Sequence, residues 1–232
     1  MTSQQAQDVI DTIVGQVFGY KNPFTLEQFQ QKFAFDVRLP SQVVDATTGQ
    51  ITWAQSVNPA KFIKMDNAWK MFEENDGLLS TMQLNGIEDI LTAWSKVNLT
   101  ATERMLDSIN VSQSDNIYGC DGVFRSQDSH DSKNIVFCDA ANDSEYVAAG
   151  QRSHTLTYAL RIEDSNTTSK SFAISWSKNI TNSFFIHDCG DIQDSMFCSH
   201  ITNKRFCIAN MQYEEAEYMR LRDIVIRWIL TQ

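Results

Sequence analysis

Two histidines and two cysteines near the carboxyl end of the chain have the chemistry of a metal site. His187 and Cys189 are two residues apart, and Cys198 and His200 repeat that spacing in reverse order. Two thiolates and two imidazoles are a ligand set that Zn²⁺ accepts in tetrahedral geometry. The spacing is not that of a zinc finger, and the alternative interpretation places both cysteines in the interior and both histidines in solvent. We expect the second arrangement, with no metal and no cofactor.

Carboxylates form a second group that could carry chemistry. Asp188, Asp191 and Asp194 lie close together, and Asp139 and Asp143 precede them. Stacked acids could bind calcium or cleave a polysaccharide by paired acid and base action. Aspartate beside glycine and serine is also ordinary turn material. The sequence contains no nucleophile elbow, phosphate-binding loop, dinucleotide glycine pattern or His-Glu-x-x-His motif. We therefore predict a protein that is not an enzyme.

The amino-acid composition argues against some classes of binding partner. The 232 residues are 42% apolar, which is enough for a substantial core, and the formal net charge is −10. That charge argues against a nucleic-acid groove or an anionic membrane surface. The start, MTSQQAQDVIDTIV, lacks the cationic residues of a signal peptide, so we expect cytoplasmic synthesis. The five cysteines form no C-x-x-C pair and three follow phenylalanine directly, which is typical of buried thiols.

The elements that must position these residues differ between the two halves of the chain. Residues 1–110 are predicted to form a helical and mixed α/β region. Apolar residues at helical spacing predict a helix over 4–18, with Gly19 past its end. Thr25 and Gln28 have the spacing of a capping box, which predicts a short second helix.

Further elements are predicted between this second helix and residue 110. Residues 43–53 are typical of two short strands around a turn at Gly49. A segment near 67–74 is predicted to be helical. Another helical stripe is formed by Ile87, Ile90, Leu91, Trp94 and Val97.

The back half repeats a short phrase. Ser-x-Asn-Ile occurs at 114–117, 132–135 and 177–180, among apolar bursts roughly 9 to 14 residues apart. A sandwich of antiparallel hairpins and a β-solenoid are both compatible with this spacing. Hairpins favour Asn-Gly or Asp-Gly turns, and this half has only one. We therefore predict a solenoid over 111–212, in which asparagine and serine bond along the stack.

A solenoid needs its two ends covered, because an exposed coil is a free sheet edge. We expect the N-terminal helices to cover one end and a capping helix within 213–232 to cover the other. The predicted helix spans about 214–230, and its apolar side is formed by Tyr213, Ala216, Tyr218, Leu221, Val225, Trp228 and Ile229. The predicted fold class is thus α+β, with a helical N-terminal region, a solenoid and a C-terminal helix.

The stretch from Asp194 to Leu221 resembles the end of uncharacterised cysteine-rich Asn/Ser/Cys repeat proteins of reduced-genome bacteria and bacteriophages. Those proteins look like stacks of short coils that close with a phrase similar to Asn-Lys-x-Tyr/Phe-Cys-Ile-x-Asn-x-Gln-Tyr and a helix. The matching residues here are Asn203, Lys204, Phe206, Cys207, Ile208, Asn210, Gln212, Tyr213, Glu214, Glu215 and Tyr218. This chain departs from the family in having five cysteines and no zinc-ribbon cysteines before the repeats.

The resemblance implies a structural protein, because the family occurs in phages and carries no established activity. We expect a non-enzymatic component of a bacteriophage virion, in the capsid, neck or tail, acting through protein-protein contacts in a homo- or hetero-oligomer. The alternative is a carbohydrate-binding or carbohydrate-cleaving β-helix protein. It would need exposed aromatic residues, with Trp176 the first to examine, and two acids about 5 to 10 Å apart.

Overall fold

A β-solenoid of about nine coils, residues 105–208, forms the body of the molecule. The computed structural model describes residues 1–58 and 61–231. Its helices are α1 (Ser3–Phe18), α2 (Leu26–Phe33), α3 (Met65–Asn75), α4 (Ile87–Trp94) and α5 (Glu215–Leu230). Strands before the solenoid are β1 (Ser41–Val44), β2 (Ile51–Ala54), β3 (Phe62–Lys64) and β4 (Thr100–Thr102).

The solenoid strands follow at short, regular intervals. They are β5 (Met105–Leu106), β6 (Ile109–Ser112), β7 (Asp115–Tyr118), β8 (Asp121–Phe124), β9 (Gln127–His130), β10 (Lys133–Val136), β11 (Asp139–Asn142), β12 (Glu145–Ala148), β13 (Gln151–Glu163), β14 (Asn166–Ser175), β15 (Lys178–Thr181), β16 (Phe184–His187), β17 (Gly190–Gln193), β18 (Met196–Ser199), β19 (Thr202–Arg205), β20 (Cys207–Ile208) and β21 (Met211–Gln212).

Parallel pairing between coils decides the architecture. Lys133 pairs in parallel with Asp121 on one side and with Glu145 on the other, so one coil takes 12 residues. The prediction of a solenoid rather than a sandwich is confirmed. We call residues stacked 12 apart in successive coils a column.

A three-residue repeat governs each coil. Every third residue from Ser114 to Cys198 is buried in the solenoid interior. The residue before each interior position has a positive φ, as at Asn116 with φ 63° and Asn179 with φ 57°. Asparagine and aspartate tolerate this left-handed conformation better than most residues. Ser-x-Asn-Ile therefore encodes an interior serine, a left-handed asparagine and an interior isoleucine.

Interior serines bind successive coils together. Bonding along the stack is predicted from the sequence for serine and asparagine at the corners, whereas these serines lie inside. The Ser183 hydroxyl donates to the carbonyl of Thr181 at 2.8 Å and accepts the N–H of Ser195, one coil later, at 3.1 Å. The Ser177 hydroxyl accepts the N–H of Cys189 in the same way. Each such serine satisfies a buried backbone donor that would otherwise cost free energy.

One outer column of the solenoid is apolar, and helix α1 covers it. The column contains Phe124, Val136, Ala148, Leu160, Phe172, Phe184 and Met196. The chain begins beside the first coils, where the Ser112 hydroxyl donates to the Met1 carbonyl. Helix α1 ends where Phe18 packs 5.4 Å from the rings of Phe172 and Phe184. Its 16 residues extend about 24 Å, close to the height of five coils spaced ~4.8 Å apart.

Helices α1, α2 and α5 therefore lie along one flank of the solenoid. The predicted helix 4–18 with Gly19 at its end and the Thr25–Gln28 capping box are confirmed. The expectation that α1 and α2 cover an end is wrong, because the apolar column that needs burial runs along the side.

Helix α5 packs beside α1, where Arg222 donates to the carbonyl of Val17. It buries Tyr218, Ile226 and Ile229, whereas Trp228, which was predicted on the buried side, is 63% exposed. Strand β21 pairs antiparallel with β20 and closes the edge of the last coil.

Candidate interaction surfaces

Helices α3 and α4 carry an apolar face that no other described part of the chain buries. We call this face and the loop between the helices the α3–α4 surface. Its exposed apolar residues are Trp69, Phe72, Leu78, Leu79, Met82, Leu84, Ile87, Ile90, Leu91, Trp94 and Val97. Exposed apolar residues in this number are typical of interaction sites in proteins.

Each helix is amphipathic, yet neither contains a buried residue. In α4, residues Ile87, Ile90, Leu91 and Trp94 recur at the spacing of one helical face. Burying one large apolar side chain fully gains about 1.5–3 kcal/mol. The predicted helices near 67–74 and 87–97 are confirmed, but their apolar stripes face outward. A partner that covers them would gain much of that free energy.

A buried carboxylate fixes the beginning of α3. Asp45 accepts hydrogen bonds from the N–H groups of Thr47 and Lys64, both at 2.7 Å, and from the Asn67 amide at 2.9 Å. Burial raises the pKa of the Asp45 carboxyl, but these hydrogen bonds outweigh burial and hold the pKa well below its usual value. The base of the α3–α4 surface is therefore attached to the β1–β2 turn.

The α3–α4 surface is acidic as well as apolar. Residues 65–97 contain six carboxylates and two lysines. An anionic membrane or a nucleic acid would be repelled by this charge, whereas a protein face with basic side chains at its rim would be attracted.

The first coil forms a second exposed surface, which we call the open end. Among the described residues, β5 pairs only with β7 and β6 only with β8, so each has an unpaired edge on its other side. Met105 is 37% exposed, and Leu106 and Ile109 are each 62% exposed. One coil further in, Ile117, which stacks on Met105, is fully buried. Leu106 and Ile109, in contrast, belong to outer columns and stack on Tyr118 and Asp121. The described residues thus leave the interior position of Met105 partly open at this end.

The structure separates the four predicted metal ligands. Cys189 and Cys198 occupy interior positions, and their thiols donate to the carbonyls of His187 and Met196. The side chains of His187 and His200 lie outside the coil, where His200 Nδ1 is 2.8 Å from Asp188 and His187 Nδ1 is 2.9 Å from Ser175. The solenoid wall stands between the two pairs. Within residues 1–58 and 61–231, no three His, Cys, Asp or Glu side chains are placed to hold a metal ion.

The predicted aspartate group is also dispersed. Asp188, Asp191 and Asp194 all have positive φ and are three residues, or a quarter of a coil, apart. They therefore point to different sides of the stack. Asp191 accepts from Asn179, and the buried Asp194 accepts from Asn182 and Arg205. Asp139 and Asp143 lie at outer positions in an earlier coil. These spacings follow from the three-residue repeat.

Trp176 is 60% exposed on the outside of the solenoid. Its indole N–H donates to Asp164 at 3.1 Å. Asp188, the next acid of this column, lies one coil beyond Trp176 and so about 10 Å from Asp164. Hydrogen bonding to Arg152 holds the pKa of the Asp164 carboxyl below its ordinary value. Such a carboxylate can accept hydrogen bonds but is a poor general acid.

Comparison with known proteins does not assign the chain to a family. The chain matches no family model, and no curated protein matches it. Among the described helices, none is both long and apolar enough to cross a bilayer.

Sequence analysis did not identify either exposed surface as a site. The loop between α3 and α4 held the usable signal, because Leu78, Leu79, Met82 and Leu84 stand where loops are usually polar. The open end gave no such signal, since apolar residues like Met105, Leu106 and Ile109 also occur in the apolar bursts of later coils.

Proposed function

We propose that this protein is a non-enzymatic assembly component that binds other protein subunits through the α3–α4 surface. The observation that carries the proposal is the set of large exposed apolar residues on α3 and α4, which no other described part of the chain covers. Its acidic charge favours a protein partner with basic residues around an apolar centre.

The solenoid suits this role physically. Each coil is fixed to the next by parallel strands and interior hydroxyls, so a surface attached to it is held in one place. We propose a bacteriophage particle as the assembly on the resemblance of residues 194–221 to repeat proteins that occur in phages. The location of the protein would then be the virion.

The test is co-expression of the chain with the proteins encoded beside it. We expect a tagged chain to co-purify with one of them in a fixed ratio. Leu91→Lys places a charge in the apolar stripe of α4 and should reduce the recovered partner at least tenfold. Thr92→Lys adds the same charge on the opposite face of the same helix and should leave recovery unchanged. Equal recovery with both variants would contradict the proposal.

A second candidate function is carbohydrate binding at the column of Trp176. An exposed indole held by Asp164 can stack on a sugar ring, and Asp188 can accept a hydrogen bond from a sugar hydroxyl. The ion pair of Asp164 with Arg152 favours binding over cleavage, because it lowers the pKa of a carboxyl that would have to donate a proton as general acid. This candidate depends on Trp176 and not on the α3–α4 surface.

A further inference from the structure

The two ends of the solenoid are built differently. At the last coil the chain turns back, and β21 pairs antiparallel with β20. At the first coil both strands, β5 and β6, keep a free edge within the part of the chain that the structure describes. A free edge presents unpaired N–H and C=O groups and is a template for another strand.

We propose that the open end binds the open end of a second copy of this chain, so that two solenoids stack head to head about a two-fold axis. The inference deepens the proposed function by naming one partner, and it rests on that function only in assuming that the protein acts within an assembly. It uses β5 and β6, whereas the proposed function uses the α3–α4 surface.

The geometry of the first coil determines which kind of partner can pair with both free edges. Strands β5 and β6 follow each other within the first coil and pair with the consecutive strands β7 and β8 of the second, so both free edges belong to the same coil. A helix cannot pair with either edge, and a single extended peptide can pair with only one. A partner that satisfies both must present two edge strands at the same separation. The first coil of a second copy does so.

A two-fold axis perpendicular to the stack makes this contact self-consistent. It reverses strand direction, so each first-coil strand meets its neighbour in antiparallel orientation, a favourable pairing. The interior residue Met105 and the outer-column residues Leu106 and Ile109 of one chain then lie against the first coil of the other. The interior columns, which are open at this end, continue across the contact.

Sedimentation equilibrium of the isolated chain tests the inference. We expect twice the chain mass of 26.4 kDa for the wild type. The double variant Leu106→Lys, Ile109→Lys should halve the mass, because charges on a strand edge prevent pairing. Trp176→Lys, an equally exposed position on the outer side, should keep the dimer. These residues are already exposed, so we expect the variants to fold.

A cross-linking measurement gives an independent result. All five native cysteines are buried, so cysteines introduced at Leu106 and Ile109 should join two chains under mild oxidation, whereas Trp176→Cys should not. A wild-type chain that is monomeric at every concentration, or an oligomer unaffected by the double lysine variant, would overturn the inference. If such a chain still co-purified with a neighbour-encoded protein in a manner sensitive to Leu91→Lys, the proposed function would stand without it.

Discussion

At the scale of single residues, position within a three-residue repeat determines what each side chain does. Interior positions hold mostly isoleucine, serine, cysteine and other apolar or small residues, and the residue before each interior position takes a left-handed conformation. The sequence predicts that Ser and Asn bond along the stack, but not that the serine faces the interior or that the asparagine is left-handed. It conceals the period of three, because Phe124, Val136 and other outer residues under α1 are also apolar. An interior residue and the outer residue after it are then both apolar, so the sequence shows a short apolar burst instead of a three-residue repeat.

The interior hydroxyls should contribute more to the free energy of unfolding than their number of contacts suggests. Ser183→Ala removes the acceptor for the buried N–H of Ser195, and an unsatisfied buried donor costs about 1–3 kcal/mol. We expect urea unfolding to show a loss of that size. Ser183→Cys should lose less, since Cys138 accepts an N–H in an equivalent place. Ser169→Ala, on the outside, should change stability by less than about 0.5 kcal/mol. Equal losses in all three would refute the role of the interior hydroxyl.

At the scale of elements, the sequence predicts which segments are helices but not what they pack against. Helical periodicity in α1, α4 and α5 reveals an apolar face, and those helices form close to their predicted bounds. The same pattern leads to burial in α1 and to exposure in α4. The difference depends on whether an apolar column of the solenoid lies beside the helix. Predicting this requires the length of a coil and the path of the chain. For the same reason, the surface proposed as functional could not be predicted from its sequence.

Attachment of α3 should depend on pH through Asp45. Because the pKa of this carboxyl is lowered in the folded state, its stabilising effect is present above the ordinary carboxyl pKa of about 4 and is lost as the pH falls below it. Asp45→Asn should cost about 1–3 kcal/mol at neutral pH. That difference should shrink below about pH 4 in urea unfolding. Asp66→Asn, at an exposed site on α3, serves as the control. A difference that is independent of pH would contradict the assignment.

At the scale of the whole molecule, the interior of the solenoid is one continuous apolar core under a polar wall. It contains all five cysteines, none of which forms a disulfide. Burial raises the pKa of Cys138 to about 12 and also raises the pKa of Cys120, Cys198 and Cys207. Thiols in such surroundings are poor nucleophiles.

Thiol reactivity should therefore report whether the coils are closed along their length. In the native protein at pH 8 we expect the five cysteines to react with a disulfide reagent at least 100-fold more slowly than in concentrated urea, where all five become accessible. Absorbance of the released thiolate measures both rates. One thiol that reacts rapidly in the native state would show an opening in the wall at its coil.

The length of α1 matches the height of the apolar column that it covers, so the helix limits the number of coils in the solenoid. One added coil lengthens the stack by ~4.8 Å, and a helix must gain about three residues to reach as far. Duplication of a coil without such an extension would leave a phenylalanine or leucine in water. The number of repeats in this protein is thus tied to the length of a segment a hundred residues away, and the two can change only together.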